Sequence, residues 1–263
     1  MAPHYNRFLA AHAQSVEVVL VSPRNPLNIG AVARAMANFG FEHLTVVAPF
    51  APHWREARSA VGAPELLEDA KEAATLAEAV AGCTLVVGTG TLTHRKPEQR
   101  VVPLPAVAPL IAPELDRGGR VAMVFGPEKH GLTREDLSWC QFLVEIPTDP
   151  RQPSMNLGQA VAVCLYELVS RVFSHQGVAR PESMDDAKEQ APAALSGSLD
   201  RLANVIEESM TAAGYSPRSM QAANRHDLRL LLRRLAPTER DTRRILGLFR
   251  RILWRLHQNR NGK

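Results

Sequence analysis

Apolar residues along this chain follow two rhythms. In the first two-thirds, short and nearly unbroken apolar runs recur at Val16–Val21, Leu44–Ala48, Thr84–Val87, Arg120–Phe125 and Phe142–Ile146. Turn signals such as Ser22-Pro23 and Gly126-Pro127 end two of them. Between the runs, apolar residues recur at spacings of three and four. These predict helices over Ile29–Phe39, Lys71–Ala81, 105–116 and Arg134–Cys140, with a short one at Glu56–Val61. Strands that are apolar throughout are buried on both faces. The alternation therefore predicts an α/β fold, a parallel sheet covered by helices on either side.

A polar loop containing Pro147, Pro150 and Pro153 leads from the last strand into a long helix carrying Leu157, Val161, Cys164, Leu165 and Leu168. Ser154 is its expected N-cap, Asn28 is the expected cap of the first helix, and Gly40 is placed to end that helix in the left-handed conformation. Residues 174–197 then turn polar and rich in Pro and Ala, a linker composition. Three more helical patterns follow near 198–213, 218–235 and 238–257. The expected organisation is a main domain over 1–173, a linker over 174–197 and a small all-α domain over 198–263.

Charge separates these parts. The net charge is +4, yet from Ser198 onward there are 14 Lys/Arg against 6 Asp/Glu, leaving 17 against 21 before it. A basic block at one end is the footprint of a polyanion-binding face. Arg229, Arg233, Arg243, Arg244, Arg250 and Arg251 are the candidates to meet an RNA backbone while the leucines between them pack together. The alternative is a solvated basic surface. No apolar run is long enough to span a bilayer, and no secretory signal is evident at the start. Cys83, Cys140 and Cys164 are odd in number and far apart, which suits reduced thiols in a cytoplasm and no metal site.

Three loops rich in Gly, Thr, Ser or Pro follow three strands, at 88–91, 126–131 and 146–156. They fall at one sheet edge, where open α/β folds bind ligands. None has the spacing GxGxxG or GxxxxGK[ST], which argues against NAD or ATP. Arg34 lies mid-helix among Ala31, Val32, Ala35 and Met36. A guanidinium in so apolar a setting calls for an anionic partner, and a phosphate matches its planar fork. A plain surface arginine is the alternative.

The segments NPLNIGAVARAMANFGF, FGPEKHGLT and IPTDPRQPSMNLGQAVA together resemble the three motifs of the SPOUT RNA methyltransferases, and within them the TrmJ group. That resemblance implies a parallel-sheet fold whose C-terminal segment threads a loop to form a deep trefoil knot. It implies 2′-O-methylation of a tRNA ribose at position thirty-two of the anticodon loop, with S-adenosylmethionine as methyl donor. The cofactor-binding residues it implies are Thr89, Gly90, Thr91, Gly126, Glu128, Ile146, Pro153, Ser154, Met155, Asn156 and Leu157. Arg34, Asn28, Ser154 and Asn156 would carry catalysis, in a homodimer where Arg34 reaches the partner's site. Pro127 and Gln152 depart from the pattern, where arginine and tyrosine are usual. Two other readings are a ribosomal RNA 2′-O-methyltransferase of the same superfamily and a non-catalytic RNA-binding homologue.

Overall fold

A computed structural model describes residues 12–90, 96–175 and 193–261. Seven strands form one parallel sheet: β1 (Val16–Val21), β2 (His43–Val47), β3 (Lys71–Ala73), β4 (Leu85–Thr89), β5 (Arg100–Pro103), β6 (Val121–Phe125) and β7 (Phe142–Glu145). Their order is β3-β2-β1-β6-β4-β7-β5, each neighbour pair parallel. Six helices accompany the sheet: α1 (Pro26–Asn38), α2 (Pro64–Glu68), α3 (Leu76–Val80), α4 (Ala108–Asp116), α5 (Arg134–Leu137) and α6 (Leu157–His175). Three more follow: α7 (Ser196–Ala212), α8 (Gln221–Leu235) and α9 (Glu239–Asn261).

Alternation along the strands sorts side chains into two cores. Val18 and Leu20 of β1, Met123 and Phe125 of β6 and Val144 of β7 face one way. There they meet Ile29 and Met36 of α1, Ile111 of α4 and Val161 and Leu165 of α6. Val19, Val21, Val124 and Leu143 face the other way, toward Leu76, Val80, Leu137, Trp139 and Cys140. Both faces are dry, so the strands read as continuous apolar runs. On the first face α1 and α6 approach closely: a Cβ on Gly158 would lie 2.7 Å from that of Ala31.

The α/β class and all three tail helices agree with expectation, but several boundaries differ. The stretch 71–81 is not one helix. Thr75 caps Glu78 N while the Glu78 carboxylate accepts from Ala74 N. This pair starts α3 at Leu76 and leaves Lys71–Ala73 free to extend the sheet edge beside β2. The expected helix at Glu56–Val61 is replaced by a 3-10 turn at Trp54–Glu56 and by α2. In the proline-spaced stretch β5 forms as the opposite edge strand, where Pro103 costs no ladder bond on its outer side. Asn25, not Asn28, caps α1, accepting from Leu27 N with Pro26 in the first turn. Asn156, not Ser154, caps α6, accepting from Gly158 N at 2.9 Å. Gly40 does adopt the left-handed conformation, at φ 72°.

The tail helices share a small core of Leu202, Ala203, Ile206 and Leu232, with Ile245, Leu246 and Phe249 packed on it. This unit is joined to the sheet domain. The Ser196 and Gly197 amides donate to the carbonyls of Cys83 and Ala81 at 2.8 and 3.0 Å. Among the described residues, no helix is long and apolar enough to cross a membrane.

Candidate functional site

The loops after β4, β6 and β7 converge on one cavity of about 290 Å³, at the lower end of the range common for small-molecule sites, about 300–1,000 Å³. Each loop is held by main-chain geometry at the carboxyl edge of the sheet. Thr89 is buried and donates its hydroxyl to Val124 O at 2.9 Å, and Gly90 N donates to Val144 O at 3.2 Å. At Gly126 the chain doubles back so tightly that an added Cβ would lie 2.3 Å from Gly131 C and Leu132 N. Glycine is required there by backbone, which cannot yield as a side-chain tip can. The Thr148 hydroxyl bonds Pro153 O at 3.1 Å across the third loop.

Of the cofactor-binding residues expected from sequence, Thr89, Gly90, Gly126, Glu128, Ile146, Pro153, Ser154, Met155 and Leu157 line this cavity. Thr91 lies outside the described residues. Asn156 is not among the lining residues; its side chain bonds Asn28 and caps α6 instead. Sequence reasoning missed Phe125, Leu132, Leu137 and Ala160 in the lining. Their signal was only that of ordinary core positions. The mixture suits an adenosyl group: Ile146, Met155, Leu132, Leu137 and Leu157 offer apolar contact, and the glycine-bearing loops offer main-chain donors and acceptors.

In the cavity wall, one carboxylate gathers the neighbouring loops. Glu128 Oε1 accepts from Asn28 Nδ2 at 2.7 Å and from Asn25 N at 3.3 Å, while Oε2 accepts from Arg24 N at 3.2 Å. Asn28 Oδ1 in turn accepts from Asn156 Nδ2 at 2.9 Å. Burial by itself pushes the Glu128 pKa up, but the Asn28 and backbone hydrogen bonds together outweigh it and hold the pKa below the ordinary value. With both oxygens engaged and its affinity for protons lowered, Glu128 is suited to hold loops rather than to accept a substrate proton.

Asn28 and Asn156 are thus brought together, and Ser154 is brought to the cavity. Arg34 is not in the lining: it is exposed on α1 and makes no hydrogen bond or ion pair among the described residues. No cluster of His, Cys, Asp or Glu able to hold a metal occurs among the described residues.

In the tail, Arg243, Arg244, Arg250 and Arg251 are exposed along α9. Arg229 and Arg233 are not. They are 5% and 3% exposed and turn inward to the sheet domain. Arg229 donates to Glu135 and to Ser138 Oγ, and Arg233 donates to Trp139 O at 2.9 Å and Ser196 Oγ at 3.1 Å. Their expected place at the RNA is corrected: Trp139 and the polar groups around it draw both guanidinia inward.

If the Asn28 bond holds Glu128 ionised, Asn28→Ala leaves burial less opposed and the Glu128 pKa rises. The sign follows from linkage: a carboxylate depressed in the folded state stabilises it above the unfolded pKa and loses that contribution as pH falls through the folded pKa. Carboxyl ¹³C titration should show Glu128 below ordinary glutamates in the parent chain and shifted upward in N28A. An unmoved titration would assign the depression to the backbone amides alone.

Comparison with known proteins agrees with this geometry. Residues 15–166 match the SpoU rRNA Methylase family. A tRNA (cytidine/uridine-2′-O-)-methyltransferase TrmJ of Klebsiella pneumoniae is 32% identical over 95% of this chain and 99% of its own. The tRNA (cytidine/uridine/adenosine-2′-O-)-methyltransferase TrmJ of Pseudomonas aeruginosa is 40% identical over 65% of each chain. The crystal structure of TrmJ from Z. mobilis ZM4 superposes with a TM-score of 0.74 at 29% identity, covering 90% of this chain and 98% of that one. With both the main domain and the helical tail matched, this chain belongs to the SpoU rRNA Methylase family and, within it, to the TrmJ group.

Proposed function

We propose that this chain transfers a methyl group from S-adenosylmethionine to a ribose 2′-hydroxyl of tRNA, at the pyrimidine nucleotide in position thirty-two of the anticodon loop. The observation that carries this reading is the cavity itself. Three glycine- and proline-bearing loops at one sheet edge enclose it, and Glu128, Asn28 and Asn156 connect it to the helix bearing Arg34. The TrmJ relatives aligned over nearly the whole chain support tRNA over ribosomal RNA as substrate.

S-adenosylmethionine supplies an electrophilic methyl on a sulfonium. The residues of the chain position the acceptor and meet its charge. Ile146, Met155 and Leu157 line the cavity and would hold the adenosyl group, for which the loops of Gly90 and Gly126 would supply main-chain partners. Ser154 borders the acceptor side, and Asn28 is fixed by Glu128 and Asn156. The guanidinium of Arg34 offers donors and no acceptor, so it cannot take the hydroxyl proton, which passes to solvent water as the methyl leaves the sulfonium and S-adenosylhomocysteine remains. It stabilises the developing alkoxide and the adjacent phosphate.

The enzyme works as a homodimer in which Arg34 of one protomer completes the cavity of the other. Supporting this, the packed pair α1 and α6 leaves Leu27, Val163 and Tyr166 exposed, at 55%, 37% and 57%. The segment from β7 to α6 threads the preceding loop as a deep trefoil knot; supporting this, β7 inserts between β4 and β5 although it follows both in the chain. Three free buried cysteines suit the cytoplasm, where tRNA is handled and thiols stay reduced.

On α9, Arg243, Arg244, Arg250 and Arg251 bind RNA phosphates. Trp254, 45% exposed with Arg251 4.4 Å and Arg255 5.7 Å from its ring centroid, adds an aromatic surface to this basic face. Such contacts add affinity and orientation, while the cavity selects the ribose.

Mass spectrometry of tRNA nucleosides from cells lacking the chain tests the reading directly. The 2′-O-methylated pyrimidine should disappear and return with the intact gene. Retained tRNA methylation with loss of a ribosomal mark would favour the ribosomal substrate, and absence of S-adenosylmethionine uptake in calorimetry would favour a binding protein. Arg34→Lys keeps the charge but loses the fork, so kcat should fall by about 10²-fold or more with cofactor affinity little changed. Near-normal turnover would remove Arg34 from catalysis. Replacing Arg243, Arg244, Arg250 and Arg251 together by Gln should flatten the log Kd–log salt slope for tRNA by roughly three. An unchanged slope would make the basic face a solvated surface.

A further inference from the structure

The two buried arginines of α8 pose a question of energetics. Burying a guanidinium is costly unless its donors are matched, and a well-packed apolar side chain often serves stability equally well. Arg233 bonds Trp139 O, Ser196 Oγ and Arg229 O, none of them a carboxylate. Burial, then the neighbouring Arg229 charge, lower its pKa to about 10, which leaves it protonated at neutral pH. Arg229 Nε is buried without a partner among the described residues. Both guanidinia lie against the Trp139 ring, at 4.2 and 4.8 Å from its centroid. This is an expensive way to glue two surfaces, but a strongly directional one.

What they grip is the outer side of a cavity wall. Leu132 and Leu137, at either side of the capping residue Thr133, line the candidate cofactor cavity. Glu135, Ser138 and Trp139, on the same short turn, receive Arg229 and Arg233. One layer of chain therefore separates the cavity from α8. A third strut lies nearby: His226 of α8 sits 3.4 Å from Glu98, which also pairs with Arg134 at 2.8 Å. The same hold reaches the basic helix. Arg233 bonds Ser196 at the start of α7, α7 packs on α9, and Ser198 bonds Glu239 at the start of α9.

We propose that Arg229 and Arg233 are positioning residues for methyl transfer: they lock the basic tail in one register against the α5 turn that walls the cofactor cavity. The proposal rests on the reading that α9 holds tRNA and the cavity holds S-adenosylmethionine. A tail joined only through the segment after α6 would bring RNA near the site, but would not fix a ribose opposite the sulfonium. Misplacement of even an ångström is expensive in such reactions.

The test compares the full chain with Arg229→Met and Arg233→Met. Calorimetry gives affinity for S-adenosylhomocysteine, filter binding gives affinity for tRNA, and single-turnover assays give the transfer rate at saturation. The expected result is both affinities within about threefold of the parent and a transfer rate at least about tenfold lower. Arg229→Lys, which keeps a donor for Glu135, should recover part of the rate. A merely structural role would instead lower stability and both affinities together. An unchanged rate in a folded variant would overturn the proposal, as would a rate loss that simply follows tRNA affinity. Should the methionine variants not fold, Ser138→Ala with Ser196→Ala removes one acceptor from each guanidinium, and a parental rate there would overturn it equally. A parent chain inert toward tRNA would overturn the functional reading and this proposal together, whereas an active parent with equally active variants would overturn the proposal alone.

Discussion

The half-buried carboxylate of Glu128 imposes the constraint on which the site depends. It follows β6, but its hydrogen-bond donors come from the loop and first turn after β1, and through Asn28 it reaches the residue that caps α6. Hydrogen bonds to a charged group are among the stronger polar contacts, and here they tie three segments to one side chain. The glycine at 126 serves the same end by steric means, since its loop leaves no room for a Cβ. A cavity built from three loops needs such ties, because loops have few apolar contacts of their own to set their shape.

Much of this was legible in the sequence, and the failures have definite causes. The three cavity-lining loops stood out because strands buried on both faces are easy to recognise and glycine and proline mark their exits. The edge strands β3 and β5 were hidden. Lys71–Ala73 and Arg100–Pro103 are short, partly exposed and polar, so they lack the apolar run that betrayed the central strands. A readable signal for the first existed in Thr75 and Glu78, spaced as a capping box, which places a helix start after Ala74. At Asn156 the cap lay two residues later than Ser154, because Pro153, Ser154 and Met155 stay in the loop that lines the cavity before the helix begins.

Arg229 and Arg233 failed for a different reason. On the helix they fall among leucines just as the exposed arginines of α9 do, and periodicity assigns a charge to whichever face lacks leucine. The pattern carries no information about a tryptophan ninety residues away. Trp139 gives these guanidinia a π-face and a carbonyl, and with them the tail becomes continuous with the sheet domain. Domain boundaries drawn from composition mark where a chain changes character, which need not be where the folded body divides.

The three cysteines follow from the same dry layers. Each is buried, and burial raises each thiol to a pKa of about 12. Since thiolate is the reactive species, an oxidant or alkylating reagent meets a folded chain whose thiols are silent. Cys83 lies beside the tail's docking amides, Cys140 beneath the cavity wall and Cys164 inside α6. Each thiol thus acquires its reactivity only when its own layer lifts, so the chain carries three separately placed chronometers of its own opening.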